Sequence, residues 1–313
     1  DKIGNRISIS NDGNTTNYTV NPVNAYTSIT DSQTVNPAYD ANGNTLNDGT
    51  HSYSYDYENK LVSVDGGTTA AYKYDALGRR VSKILPGSTI NYYYDGQRII
   101  EERDGSDNIS ATYVYGTSID DILSMNRNGT DYFYHQNSLG SVIVLTNSSA
   151  NIVERYDYDA YGKPFVSVIS SAGNSSSASG NVFMFTGREY DAETGNYHYR
   201  ARFTIPGWGR FAQWDPLGYV DGMNKYAYAR GNPSNLFDPF GYEACCKGEY
   251  ETTLDNNCFE NCKDNNFTGP LEFFLTLSSF IATVTSASEN FIGLSFLVEF
   301  ISGAPTLIGA GSQ

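Results

Sequence analysis

The chain has 313 residues and 39% hydrophobic content, enough to bury a substantial core and too much for a disordered chain. Tyrosine (26 residues) and glycine (30) stand out against only 18% charged residues, a composition that suits many short, half-buried strands separated by turns. A formal net charge of -15 argues against a polyanionic partner, because phosphate binding depends on Lys and Arg displacing counterions; nucleic acid is not expected as a ligand.

The chain opens DKIGNRISISNDGN, with no basic segment followed by an apolar one, so no signal peptide is legible there. Residues 1–7 look instead like a repeat copy lacking its tyrosine, and a parent chain with further repeats upstream is expected. The repeat becomes plain further on. Tyr-Asp occurs at Tyr39-Asp40, Tyr55-Asp56, Tyr74-Asp75, Tyr94-Asp95 and Tyr158-Asp159, with degenerate copies at Tyr115-Gly116 and Tyr134-His135. Through Tyr134 the steps are 16, 19, 20, 21 and 19 residues, the mark of a structural repeat.

The physics of one copy is simple. Tyrosines at i and i+2, as in Tyr72 and Tyr74, Tyr113 and Tyr115, or Tyr132 and Tyr134, share one face of a strand. The following Asp-x-x-Gly or Asp-Gly supplies a turn in which Asp bonds its own backbone. A second strand, such as that around Arg80-Val81, then returns. Each copy is therefore about one antiparallel β-hairpin that must stack on its neighbours to bury its face. The fold class predicted is mainly β, with the tyrosine rings stacked rung on rung and residues 170–179, rich in Ser, Gly and Ala, as a mobile loop.

These repeats resemble the Rhs or YD-repeat proteins, relatives of the C component of insecticidal Tc toxins and of the teneurins, and the resemblance covers roughly residues 1–242. It implies that the strands spiral into a hollow shell enclosing a C-terminal toxic or effector segment. Residues 1–184 would be shell. Residues 185–242 are similar to the family's Rhs-associated core, with Phe185-Thr-Gly-Arg-Glu-Tyr-Asp191, Gly209-Arg-Phe211, Trp214-Asp-Pro-Leu-Gly218, Lys225-Tyr-Ala-Tyr228, Asn232-Pro233 and Asp238-Pro-Phe-Gly-Tyr242 in the family's order.

Without the family, Asp215-Pro216-Leu217-Gly218 and Asp238-Pro239-Phe240-Gly241 read as type I turns. With it, Asp215 and Asp238 correspond to an aspartic-protease-like pair that cuts the chain after the second unit, between Tyr242 and Glu243. Two close carboxyls keep one proton between them, so one can act as base toward water and the other as acid. Arg202 matches an arginine used in that cleavage, and its other reading is a surface arginine of Arg200-Ala-Arg202. Two departures are visible: Arg202-Phe-Thr-Ile-Pro206 stands for the family's R-Y-Y-D-P, and Tyr242 stands where Leu is commonest. The expectation is that cleavage persists at a lower rate, as the one enzymatic act of the protein, with no cofactor and no metal.

Beyond lies a tip, residues 243–313, with no His, no Arg, two Lys and nine acids, which excludes His-based nucleases, Ser-His hydrolases and phosphate-clamping transferases. All four cysteines, Cys245, Cys246, Cys258 and Cys262, fall there, and a helix is predicted over 250–262. Two crossed disulfides are expected ahead of free thiols or a four-cysteine zinc site, since C-x2-C clips are missing. Residues 271–310 are apolar, but the longest charge-free run, 273–288, is short of a membrane span, so two helices are expected, kept inside the shell or packed in a small helical domain.

The resemblance thus implies a secreted or cell-surface bacterial protein whose partners are its own tip as cargo, the upstream shell repeats and an immunity protein. Two rivals stay open: a non-catalytic structural or adhesive YD-repeat surface protein whose Asp-Pro-x-Gly units are only turns, and a membrane-active, pore-forming tip.

Overall fold

The computed structural model describes residues 1–245 apart from Asp12, 169–170 and 175, with the backbone alone at 171–174. The small α-helical tip, its apolar segment and Cys246, Cys258 and Cys262 lie outside the described residues.

A thirteen-stranded antiparallel sheet runs from Tyr53–Tyr55 to Ser171–Asn174 with every strand beside its sequence neighbour. A four-stranded sheet, Ser8–Asn11 to Thr34–Val35, and the hairpin of Ala38–Tyr39 with Thr45–Asn47 precede it. Such a meander follows from hairpin-length repeats, because each turn closes its strand pair locally.

Several of the turns share one device. The Oδ1 atom of Asp56 accepts the amides of Glu58 and Lys60, that of Asp75 those of Leu77 and Arg79, and that of Asp159 those of Tyr161 and Lys163. Asn137 and Asn147 do the same in repeats that have lost the Tyr-Asp pair. Asp1 holds Ile3 and Asn5 in this way, so residues 1–5 form the same turn. A side-chain oxygen thereby replaces a backbone acceptor, which is why Asp or Asn is required there.

The rings do not stack rung on rung. Each repeat contributes two strands about 4.8 Å apart, so equivalent tyrosines are about 10 Å apart, beyond ring contact. In four copies the second tyrosine instead donates its hydroxyl to a carbonyl on the neighbouring strand: Tyr74 to Leu61, Tyr94 to Arg80, Tyr115 to Ile99 and Tyr158 to Val142, at 2.7–2.9 Å. The gap between the Tyr72 and Tyr92 rings is filled by a cation, the Arg80 guanidinium, which lies 5.1 Å from the first and 5.6 Å from the second. Residues 170–179 are likewise not simply a loop. Ser171–Asn174 pairs with Pro164–Val168, and beyond it Ser177 Oγ and the Ser179 amide donate to Glu154, a buried carboxylate that needs such donors.

Residues 185–242 supply the core filling. Their four-stranded sheet, Glu189–Asp191, Asn196–Tyr199, Arg202–Ile205 and Arg210–Phe211, is buried at every position. Phe203, Ile205 and Trp208 pack with Tyr26, Tyr53 and Tyr72, while Tyr190, Tyr197 and Tyr228 pack with Tyr113, Tyr134 and Tyr156. Charged pins fix the seat: Arg80 donates to Asp191 at 2.6 Å and to Glu189 at 2.7 Å, Lys83 reaches Asp191 at 2.9 Å, and Arg188 and Arg200 both pair with Asp120.

Candidate active site

Three polypeptide stretches converge at one end of this inner sheet. Arg202 begins the strand Arg202–Ile205, Asp215 opens the first Asp-Pro turn, and Asp238 opens the second. Asp215 behaves as a type I turn residue: its carbonyl accepts Gly218 N at 3.0 Å and its Oδ1 accepts Leu217 N at 2.8 Å. Asp238 differs, because its Oδ1 takes over the carbonyl's role and accepts Gly241 N at 2.8 Å and Tyr242 N at 3.0 Å. Both aspartates are therefore turn residues, and in each the second carboxylate oxygen remains available.

Those second oxygens meet one cation. Arg202 Nη2 lies 3.0 Å from Asp215 Oδ2 and 3.1 Å from Asp238 Oδ2, which bounds the separation of the two oxygens to about 6 Å. Arg202 is 1% exposed, so it is no surface arginine. Its Nε donates to Gly241 O at 2.7 Å, its Nη1 to Lys225 O at 3.2 Å, and its guanidinium sits 3.6 Å from the Phe211 ring centre. With the planar group gripped on every edge, the two carboxylates are held toward each other and the backbone of Gly241 is tied to the same side chain.

Burial sets the protonation. Asp238 has no exposure, and desolvation pushes it up to about 6 against the pull of Arg202, with Asp221 and Asp215 adding to the rise. Asp215 is also raised, by burial first, with Arg202 opposing. Two carboxyls and one guanidinium are electrically neutral when they carry a single proton, the state a dry site favours. A cavity of about 340 Å³ is lined by Arg202, Asp215 and Tyr242 but not by Asp238, so water reaches the pair from the Asp215 side.

Gly241 is required by both conformation and space. It has φ +71, and a Cβ there would run into the Tyr199 carbonyl oxygen and come within 3.0 Å of Arg202 N. Gly241→Ala should cost at least about 2 kcal/mol, from left-handed strain plus overpacking. Thermal unfolding checks this, and an unchanged midpoint would show that the turn relaxes freely.

Glu243 and Cys245 are the other predicted residues within view. The Cys245 backbone exchanges two hydrogen bonds with Phe237, and the residue is fully buried. Sequence reading missed Arg200, Asp221 and Arg230. Arg200, which pairs with Asp120, also donates to the Pro239 carbonyl inside the second Asp-Pro turn. Its signal was its place two residues from Arg202; for Asp221 and Arg230 no local pattern existed. Among the described residues there is no group of three or more His, Cys, Asp or Glu able to hold a metal, and no helix long and apolar enough to cross a membrane.

A family model, the teneurin YD-shell, matches residues 1–226. The chain belongs to this family. The YD-shell chain is 36% identical over 256 residues to the tRNA nuclease WapA of Bacillus subtilis, covering 77% of its own length and 11% of that protein's. It is 26% identical over 226 residues to the double-stranded DNA deaminase toxin A of Burkholderia cenocepacia, covering 61% of itself and 15% of that protein. It therefore spans between a tenth and a sixth of these relatives. Among solved structures, TcdB2-TccC3 without its hypervariable C-terminal region matches with a TM-score of 0.51 at 22% identity, over 73% of this chain and 13% of that one. That likeness shows the YD-shell fold, and it involves a protein lacking its own variable C-terminal part.

Proposed function

We propose that residues 1–242 are the closing part of a YD-repeat shell that cuts its own chain between Tyr242 and Glu243, releasing residues 243–313 as a toxin or effector cargo. The observation that carries this reading is Arg202: one nitrogen bridges Asp215 and Asp238 while another holds Gly241, one residue before the bond. Asp215, on the side that faces the cavity, takes a proton from water as it attacks the Tyr242 carbonyl carbon. Asp238, the drier and more strongly raised acid, gives its proton to the departing Glu243 nitrogen, leaving a carboxyl on Tyr242 and a new amino terminus on Glu243.

WapA and the Burkholderia toxin share this shell region and yet are named for different activities, which suits a carrier whose activity resides in the segment behind it. An extracellular or surface site of action and a dedicated immunity partner belong to the same proposal. The competing reading, a structural protein with two Asp-Pro turns, draws on the backbone hydrogen bonds that both aspartates make.

The test is a denaturing gel with intact mass measurement on the full chain, expecting a 71-residue fragment beginning at Glu243. An uncut chain with folded shell would replace this reading by the structural one. The pH dependence has a definite sign. The reactive pair carries one proton, so above about 6, where Asp238 ionises, the rate should fall roughly tenfold per pH unit. On the acid side it should fall again as Asp215 protonates. A rate that rises steadily from pH 6 to 9 would exclude the carboxyl pair.

A further inference from the structure

The bond between Tyr242 and Glu243 is gripped on its shell side by Asp238, which accepts the Gly241 and Tyr242 amides, and by Arg202, which holds the Gly241 carbonyl. A second charged pair grips the other side. Asp221 Oδ2 accepts the Ala244 amide at 3.3 Å, two residues past the bond. Its other oxygen, Oδ1, takes Arg230 Nε at 2.5 Å, and Arg230 Nη2 lies 3.8 Å from Glu243 Oε1. Both side chains come from segments that have no part in the shell's hairpins: Asp221 from the loop after the first Asp-Pro turn, Arg230 from a tight turn ahead of the second.

That turn is conformationally unusual. Ala229 and Arg230 have φ +49 and +52, followed by Gly231 at +74, so two side-chain-bearing residues in succession sit in the left-handed region. Neither is a residue type that favours it. Backbone strain of this kind persists where the surroundings require it, and here it delivers the Arg230 guanidinium to Asp221 and Glu243.

We propose that Asp221 and Arg230 are positioning residues that clamp the released side of the cut bond, and that they make an acidic residue at position 243 the preferred one after the cut. This rests on the self-cleavage reading above. With both sides tethered, the bond after Tyr242 is held still, whereas a one-sided grip would let the departing strand swing. The cation of Arg230 selects an anion at 243 and would repel a lysine.

The experiment is a cleavage time course of the full chain on denaturing gels, with four variants beside wild type. Arg230→Asn keeps a residue tolerant of the left-handed conformation and removes the cation; it should cut at least tenfold more slowly, and Arg230→Lys should recover most of the rate. Glu243→Lys should also slow cutting at least tenfold in the wild-type background. In the Arg230→Asn background the same Glu243→Lys change should have little further effect, since the charge it opposes is gone. A merely structural role for Arg230 predicts equal slowing by Glu243→Lys in both backgrounds, and that result would overturn the clamp. So would wild-type rates for Glu243→Lys alone. An uncut wild-type chain is a different failure: it removes the cleavage reading itself, whereas a cut wild type with indifferent variants removes only the clamp.

Discussion

Asn at either Asp215 or Asp238 should leave the chain full length, a loss of at least about a hundredfold in cleavage rate, the lower end of what a positioned acid or base supplies. The change is close to isosteric. In Asp215→Asn the side-chain oxygen still accepts Leu217 N, and in Asp238→Asn it still accepts Gly241 and Tyr242 N, so each turn keeps its closure. What disappears is a titratable carboxyl, together with one of the two anions facing Arg202. An amide would turn a donor toward the guanidinium or rotate away from it, so some stability goes too. One carboxylate remains in either variant, which prevents the guanidinium from being buried unpaired. Thermal unfolding on the same samples separates the effects: a folded but uncut variant supports the pair, and a variant that is cut like wild type shows that the aspartates only shape turns. Since the fragment can stay held by the shell after the cut, only denaturing separation reads the outcome.

Removing Arg80 should cost about 3–5 kcal/mol, a large part of a domain's usual 5–15 kcal/mol, because a buried ion network loses its central cation. Arg80 is 1% exposed and joins the long sheet to the inner one through Glu189 and Asp191, with its guanidinium between the Tyr72 and Tyr92 rings. In Arg80→Ala, Lys83 still pairs with Asp191, but Glu189 keeps only the longer contacts to Arg188 at 3.5 Å and His198 at 3.4 Å. In the intact protein burial pushes His198 down to about 4, with the Arg80 charge adding to it, so at neutral pH the imidazole carries no charge toward Glu189 while Arg80 is in place. A melting temperature lower by on the order of 10 °C, insensitive to salt, is the expected result. A drop of under one or two degrees would mean that packing alone seats the inner sheet. Cleavage should fall with it, as the seat positions Arg202.

Much of the shell could be read from single repeats. The Asp of Tyr39-Asp40, Tyr55-Asp56, Tyr74-Asp75 and Tyr158-Asp159 captures amides two and four residues ahead, an interaction completed within five residues and therefore written in the local sequence. The expectation of stacked rings failed for a reason equally simple. It treated repeats as single rungs, while a two-strand repeat doubles the spacing and leaves room that Arg80 occupies. The strand at Ser171–Asn174 was hidden because small residues carry no β signal, and its pairing comes from the neighbouring strand Pro164–Val168.

The sequence by itself determined the hairpin repeat, the turn chemistry, the family and the three residues of the candidate site, since these are set by residue types at short, fixed spacings. Only the tertiary structure decided how the charges are used. Arg80 finds Asp191 across 111 positions, Arg202 finds Asp238 across 36, and Asp221 meets the Ala244 amide across 23. No periodicity links such pairs. They form because the inner sheet packs against the long one and water is excluded there, so each buried charge must take the partner that this packing brings to it.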